Sequence, residues 1–241
     1  MHAILTYHSI DPSGSVISLD RAAFMHHVAW LASGRVNVVP LESLLASTAP
    51  NAVALTFDDG FRNFAEVAWP LLADHGFPAT LFVVSDFVGS INGWSQTGAA
   101  VPELPLLDWD EIGRLAEEGV TVGAHTRRHP DLRGCPPGVL EEELGGARAE
   151  IARRTGREPE AIAYPYGGTD RTVRAAAARL YRVGCTTRLA CVNREDPLLL
   201  PRLDAWYFRQ SGRLEAWGTA SFRRYLWVRA GARRVRQLLA G

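Results

Sequence analysis

The chain has 241 residues, 47% of them apolar, and 26 basic residues balance 26 acidic ones. This composition suits one α/β domain and argues against disorder and against a nucleic-acid partner. Every basic residue is an arginine, so lysine Schiff-base chemistry and a P-loop lysine are excluded.

In chain order, Ala3 to Tyr7 reads as a first strand ending at His8, and Asp11 to Gly14 as a loop. No basic region with a long apolar stretch opens the chain, and no run of about 18 apolar residues follows. A soluble, cytoplasmic protein is expected. Asp20 offers the N-cap of a helix through Phe24, Val28 and Leu31 that stops at Gly34. Val36 to Val39 is a second strand, and a short helix follows over Leu41 to Ala46. Ala52 to Leu55 predicts a buried strand that runs out into Thr56-Phe57-Asp58-Asp59-Gly60, before a helix from Phe61 to about His75. Ala79 to Val84 is the next strand. The 88–107 connection contains Trp94 and is long enough to predict a functional loop. Asp108 caps a helix closed by Gly119, and Val120 to Val122 is a strand leading to His125 and His129. A long helix spans Val139 to Arg154, and a strand from Ile162 to Tyr164 opens into Pro165-Tyr166-Gly167-Gly168. Asp170 caps a helix over 171–180, Val183 to Cys185 is another strand, and Leu198 to Leu200 leads into Pro201-Arg202-Leu203-Asp204.

Strands and helices alternate with no fixed-period repeat. His8, Asp58, Asp59, His125, Tyr166 and Arg202 all fall at the C-terminal ends of predicted strands. A barrel converges those ends on one mouth, whereas an open sheet spreads them along an edge. The predicted fold is a single-domain, distorted and incomplete (β/α)7-8 barrel over residues 1–215. After Glu215 there is no acid, and Arg223, Arg224, Arg229, Arg233, Arg234 and Arg236 alternate with apolar residues. Residues 216–241 therefore predict a basic helix packed on the barrel or appended to it. Its arginines suit solvent, or peripheral contact with a membrane or a lipid-linked sugar. Cys135, Cys185 and Cys191 have no metal-ligand spacing and are expected to be reduced structural thiols.

Two adjacent buried carboxylates, Asp58 and Asp59, repel each other and call for a cation or a shared proton. His125 and His129 stand four apart, a spacing expected to put both on one side of a helical turn and to suit one metal. Two imidazoles and one carboxylate suit Zn²⁺, with Co²⁺ or Ni²⁺ as alternatives, and an iron oxygenase uses the same ligand types. The second carboxylate favours hydrolysis.

Thr56-Phe57-Asp58-Asp59-Gly60, then His125-Thr126-Arg127-Arg128-His129-Pro130, then Tyr164-Pro165-Tyr166 resemble the three motifs of the polysaccharide deacetylases, carbohydrate esterase family four (the NodB homology domain). The resemblance implies the same barrel and a hydrolase that removes N-acetyl groups from an N-acetylhexosamine in a polymer, an oligomer or a lipid-linked sugar. It also implies Asp59, His125 and His129 as ligands of one divalent metal, which activates a water as nucleophile, and Asp58 as general base. The backbone N–H of Tyr166 is implied as a donor to the oxyanion.

Two departures stand out. The family's acid is a histidine in a C-terminal Leu-x-His motif, yet no histidine follows His129. Tyr7-His8 resembles the branch whose acid comes from the N-terminal strand, so His8 is the expected general acid, facing the leaving nitrogen from the side opposite the base. Ala163 stands where many members place an arginine that holds the base. Arg202 is the proposed substitute and Arg62 the alternative, while a surface ion pair is the plain reading of Arg202. Trp94 is expected to stack on a sugar ring; Trp206 is a second candidate, and Trp109 reads as core. Other readings are a hydrolase of a small amide or cyclic imide, and a catalytically silent carbohydrate-binding relative. A glycosidase pair is disfavoured, because its carboxylates stand roughly 5 Å or more apart and usually on different strands.

Overall fold

The computed structural model of the chain describes residues 1–94, 101–193 and 195–240, apart from the side chains of 234 and 236–240. Part of the 88–107 loop, and the side chains of Arg234, Arg236, Leu238 and Leu239, therefore lie outside the described residues. Among the described residues there are ten strands: β1 (Ala3–Tyr7), β2 (Ser9–Ile10), β3 (Ser18–Leu19), β4 (Asn37–Val38), β5 (Ala52–Phe57), β6 (Thr80–Val83), β7 (Thr121–Ala124), β8 (Ala161–Ala163), β9 (Val183–Cys185) and β10 (Leu203–Asp204). All but β2 and β3 form one sheet in the order β10-β1-β5-β6-β7-β8-β9, with β4 alongside β5. Every ladder in it is parallel.

The sheet curls into a distorted barrel, as expected. Its gap is bridged by the segment 200–204. Leu200 bridges to Cys185 on β9, and Leu203 pairs with Leu5 on β1. Helices α1 (Arg21–Ala32), α2 (Trp69–Ala73), α3 (Trp109–Glu117), α4 (Pro137–Leu140), α5 (Gly146–Thr155), α6 (Arg171–Ala177) and α7 (Ala220–Ala240) complete the fold. Asp20, Asp108 and Asp170 cap α1, α3 and α6 by accepting backbone N–H bonds, so these sequence cues act as they should. Among the described residues no helix is long and apolar enough to cross a membrane.

Strand alternation sorts the side chains into two cores. Leu5, Tyr7, Val53, Leu55 and Phe57 pack outward with Phe24 and Val28 of α1. Ile4, Ala52, Ala54, Phe82, Ala161, Ala163, Cys185 and Leu200 fill the barrel. Each large apolar side chain so buried contributes about 1.5–3 kcal/mol. The inner residues are mostly small because Phe82 crosses the interior; a Cβ on Gly123 would meet its ring at 2.5 Å. This parity matters for chemistry. Ile4 and Ala54 face inward, so His8 and Asp58, continuing the same alternation, also face the barrel mouth.

The start of α7 is bound to the barrel: Phe222 and Leu226 are buried, and the Tyr225 hydroxyl donates to Tyr207 O at 2.6 Å. Cys135, Cys185 and Cys191 are free thiols.

Beneath the mouth, His27 lies in the core between the Tyr7 hydroxyl, 3.2 Å from Nδ1, and the Phe208 carbonyl, 3.0 Å from Nε2. Burial lowers its pKa from 6.5 to about 4. Between those values the unfolded chain binds a proton that the folded chain refuses, so stability falls as pH drops from 6.5 to 4. The loss should reach about 3 kcal/mol. His27→Gln should flatten this decline in urea-denaturation curves recorded across that window; a slope identical to wild type would refute the assignment.

Candidate active site

β1 and β5 pair in register, Tyr7 with Phe57, which sets His8 beside Asp58. The His8 Nε2 lies 3.8 Å from Asp58 Oδ2. His8 thus stands next to the expected base, not across the site from it, because neighbouring parallel strands end level. Asp59 and Gly60 then take φ of 73° and 79°, two successive left-handed residues that reverse the chain. A Cβ at Gly60 would meet Val83 Cγ1 at 3.4 Å. The reversal turns the adjacent carboxylates to different partners.

Asp58 meets Arg202. The guanidinium Nη1 donates to Oδ1 and Nη2 to Oδ2, both at 2.7 Å, while Nε donates to Thr186 O at 3.0 Å. Arg202 is 2% exposed, so the surface ion pair considered for it is replaced by a buried, two-pronged one. Arg62 instead pairs with Glu111. Burial alone would raise the Asp58 carboxyl, but Arg202 and then His125 outweigh it and hold it well below the usual carboxylate range.

Asp59 meets the histidines. Its Oδ1 lies 3.4 Å from His125 Nε2 and 3.6 Å from His129 Nε2, and all three residues are buried. The histidines do not share a helical turn. β7 ends at Ala124, and the following loop turns through left-handed Thr126 and His129, with φ of 64° and 62°. Its shape is fixed from below by Glu143, a residue that the sequence reading did not single out. This carboxylate is 1% exposed and accepts the backbone N–H of Arg127 at 3.0 Å and of Arg128 at 2.9 Å. It also accepts the Arg128 guanidinium at 2.7 Å. Glu143 was legible only as one acid in the run Glu141-Glu142-Glu143.

The donor set fits a cation. His125 Nδ1 lies 2.7 Å from the Ala163 carbonyl, which can only accept, so Nδ1 carries the proton and Nε2 offers its lone pair to the site. Asp59 Oδ1, which lies 3.4 Å from His125 Nε2 and 3.6 Å from His129 Nε2, has no hydrogen-bond partner among the described residues. A buried carboxylate oxygen facing two imidazole nitrogens calls for positive charge there, from a cation or from a proton on an imidazole. Burial and the neighbouring His125 lower His129 to about 3. Burial would lower His125 too, but Asp59 and Asp58 outweigh it and raise its pKa.

Aromatic rings wall one side. His129 packs against Trp94, with ring centroids 5.1 Å apart, and against Tyr166 at 4.8 Å. Tyr166 has φ of 57° and an exposed ring. Trp109 is half-buried beneath Arg154, and Trp206 lies under the Arg209 guanidinium at 3.7 Å.

Residues 46–183 match the family model described as polysaccharide deacetylase. The chain belongs to the polysaccharide deacetylase family. Its members are hydrolases of carbon–nitrogen bonds other than peptide bonds. YxkH of Bacillus subtilis (strain 168) is 26% identical over 200 residues, which cover 80% of this chain and 67% of YxkH. The chitooligosaccharide deacetylase of Bradyrhizobium sp. (strain ANU 289) is 34% identical over 130 residues, 53% of this chain and 52% of that protein. The chain thus spans only about half of that deacetylase. Among solved structures, the Streptococcus pyogenes deacetylase PplD in complex with acetate superposes with a TM-score of 0.72 at 24% identity, covering 84% of this chain and 91% of PplD. IcaB from Ammonifex degensii gives 0.72 at 22% identity, covering 85% of this chain and 93% of IcaB. Both likenesses establish the fold of this deacetylase-family chain.

Glu143 offers a test of the histidine loop. Glu143→Gln keeps the shape but removes the charge that three N–H groups share, so zinc affinity should fall about 10–100-fold. Competition with a chromophoric chelator measures this, and wild-type affinity would remove Glu143 from the site's support.

Proposed function

We propose that the chain removes the N-acetyl group of an N-acetylhexosamine unit in a saccharide, with Asp59, His125 and His129 holding one divalent metal, zinc first and cobalt or nickel as alternatives. The observation that carries this reading is the division of labour between adjacent carboxylates: Asp58 is closed off by Arg202, while Asp59 keeps an unpartnered oxygen beside two imidazoles. When bound, the metal supplies a Lewis acid for the acetamide carbonyl and for a nucleophilic water.

The chain's own groups do the rest. Arg202 keeps Asp58 ionised and fixes both its oxygens, so the carboxylate is oriented to take the water's proton as the new C–O bond forms. The same pairing lowers its basicity, so orientation, not proton affinity, is what Arg202 contributes. The Tyr166 backbone N–H is assigned to the developing oxyanion. As the C–N bond breaks, His8 delivers a proton to the leaving nitrogen, giving acetate and a free amine. Because His8 Nε2 is 3.8 Å from Asp58 Oδ2, the proton taken by Asp58 has a short path back to His8. Trp94 and Tyr166, both packed on His129, supply flat walls for the sugar ring.

Acetate release from N-acetylglucosamine oligomers and lipid-linked sugars, after loading with Zn²⁺, Co²⁺ or Ni²⁺, tests the reading directly. Asp58→Asn should keep its metal and lose turnover by about 100–10,000-fold, whereas His125→Ala should lose metal and turnover together. Turnover confined to small amides or cyclic imides would replace the saccharide assignment.

His8 has its own measurement. His8→Ala should retain metal and lose far more activity on an amide than on an activated aryl acetate, whose phenolate leaves without protonation. Equal losses on the two substrates would reject His8 as the acid.

A further inference from the structure

Helix α7 seats one face on the barrel and turns the other outward. Phe222 and Leu226 are buried, and the Tyr225 hydroxyl donates to Tyr207 O. The Arg229 guanidinium lies over the Tyr207 and Tyr225 rings, 5.8 and 5.4 Å from their centroids. Arg233, one turn further on, brings Nη1 to 4.0 Å from Asp204 Oδ2. Residues 222, 225, 226, 229 and 233 thus make the seated side. On the opposite side stand Trp227, Val228, Gly231 and Val235, again at helical spacing. Trp227 is 78% exposed, Val235 56% and Val228 50%, three of the four most exposed large apolar side chains among the described residues. Single apolar residues on a surface are ordinary, but a stripe of them on an anchored helix marks a contact surface.

Charge decides what covers the stripe. Residues 216–241 hold six arginines and no acid. Arg229 and Arg233 are turned to the protein, whereas Arg224 is exposed and lies one turn before Trp227 and Val228. Arg223 beside it is exposed as well and gives Nη1 to Gly218 O at 2.7 Å. Acids at the base of the helix and along the neighbouring cleft are already engaged, Glu215 with His26, Glu195 with Arg188 and Asp196 with Arg174. A second copy of the chain would set six more arginines against the same stripe and be repelled. A nucleic acid would take the arginines and leave the indole and the valines in water. An anionic bilayer surface meets both needs, since lipid phosphates take the guanidinium groups while the apolar stripe enters the boundary between headgroups and acyl chains. The helix is not apolar enough to cross a membrane, so it lies in the plane of the surface.

We propose that the outward face of α7 docks the folded chain on a bilayer rich in anionic lipid, with Trp227, Val228 and Val235 inserted and Arg223 and Arg224 on the lipid phosphates. The inference is independent of deacetylation, because docking needs neither metal nor turnover.

The full-length chain is sedimented with vesicles of phosphatidylcholine alone and with vesicles of equimolar phosphatidylcholine and phosphatidylglycerol. It should bind the mixed vesicles and not the neutral ones, and binding should weaken as salt is added. Trp227→Ala should lower affinity for the mixed vesicles about tenfold or more. Arg223→Gln combined with Arg224→Gln should lower it about thirtyfold, since each arginine near such a surface contributes a factor of about five. All three side chains are exposed, so urea-denaturation midpoints should stay at the wild-type value. Absence of binding to the mixed vesicles, equal binding to the neutral ones, or wild-type binding by these variants overturns the proposal. So does a concentration-dependent dimer in analytical ultracentrifugation that Trp227→Ala abolishes, which gives the stripe to a second copy.

Discussion

A guanidinium sealed inside a barrel must find all its partners there, and Arg202 is such a group. Taking it out of water costs several kcal/mol, which is regained only if geometry is good and no donor is stranded. Two prongs reach Asp58, and Nε reaches Thr186 O. A lysine's point charge has no such fork and would leave one carboxylate oxygen and the Thr186 carbonyl without a donor. The pair also ties topology to chemistry. Arg202 sits on the segment that bridges β9 to β1, and Asp58 ends β5 on the far side of β1. Barrel closure and the state of Asp58 therefore depend on one interaction.

Backbone strain is concentrated at the same place. Among the described residues, five other than glycine have positive φ: Asn51, Asp59, Thr126, His129 and Tyr166. Four of them belong to the site or its loops. Each costs about 1–3 kcal/mol and persists only where the surroundings over-determine it. Here the surroundings are identifiable. Thr126 Oγ1 accepts the His129 N–H at 2.9 Å, Glu143 holds the two residues between them, and the Thr187 hydroxyl donates to Tyr166 O at 3.1 Å. The histidine spacing looks helical in sequence, yet a helical turn has no place for two left-handed residues. The loop delivers both imidazoles to one oxygen instead.

This contrast explains how much could be read from sequence. The strand ends were legible because apolar runs stop at Asp58, at His125 and at Tyr166, and a barrel gathers such ends. Strands β1 and β5 are buried at every residue, so the apolar pattern marked the strands and left the inward direction of His8 and Asp58 open. Nor did it carry register: that His8 ends level with Asp58 depends on the pairing of Tyr7 with Phe57, a long-range fact. Arg202 was visible only as an arginine near a late strand, since nothing local distinguishes a buried fork from a surface pair. Glu143 was hidden for the same reason. Its neighbours in sequence are two exposed glutamates, and only the tertiary fold turns it beneath the histidine loop.

The electrostatics give the two carboxylates separate fates. Arg202 neutralises Asp58 almost completely, because both charges are buried and joined by two short bonds. Asp59, the next residue, receives no such partner. Burial opposes its charge, and the nearby histidines outweigh that and lower its pKa. A proton on His125 Nε2 would serve Asp59 from one side only, because burial and the neighbouring His125 hold His129 low and two charged imidazoles cannot stand side by side cheaply. A divalent cation meets the same need with one charge centre, reaching one carboxylate and two lone pairs together. The fold thus builds a closed base and an open ligand set from adjacent residues, and the left-handed turn at Asp59 and Gly60 is what keeps the two apart.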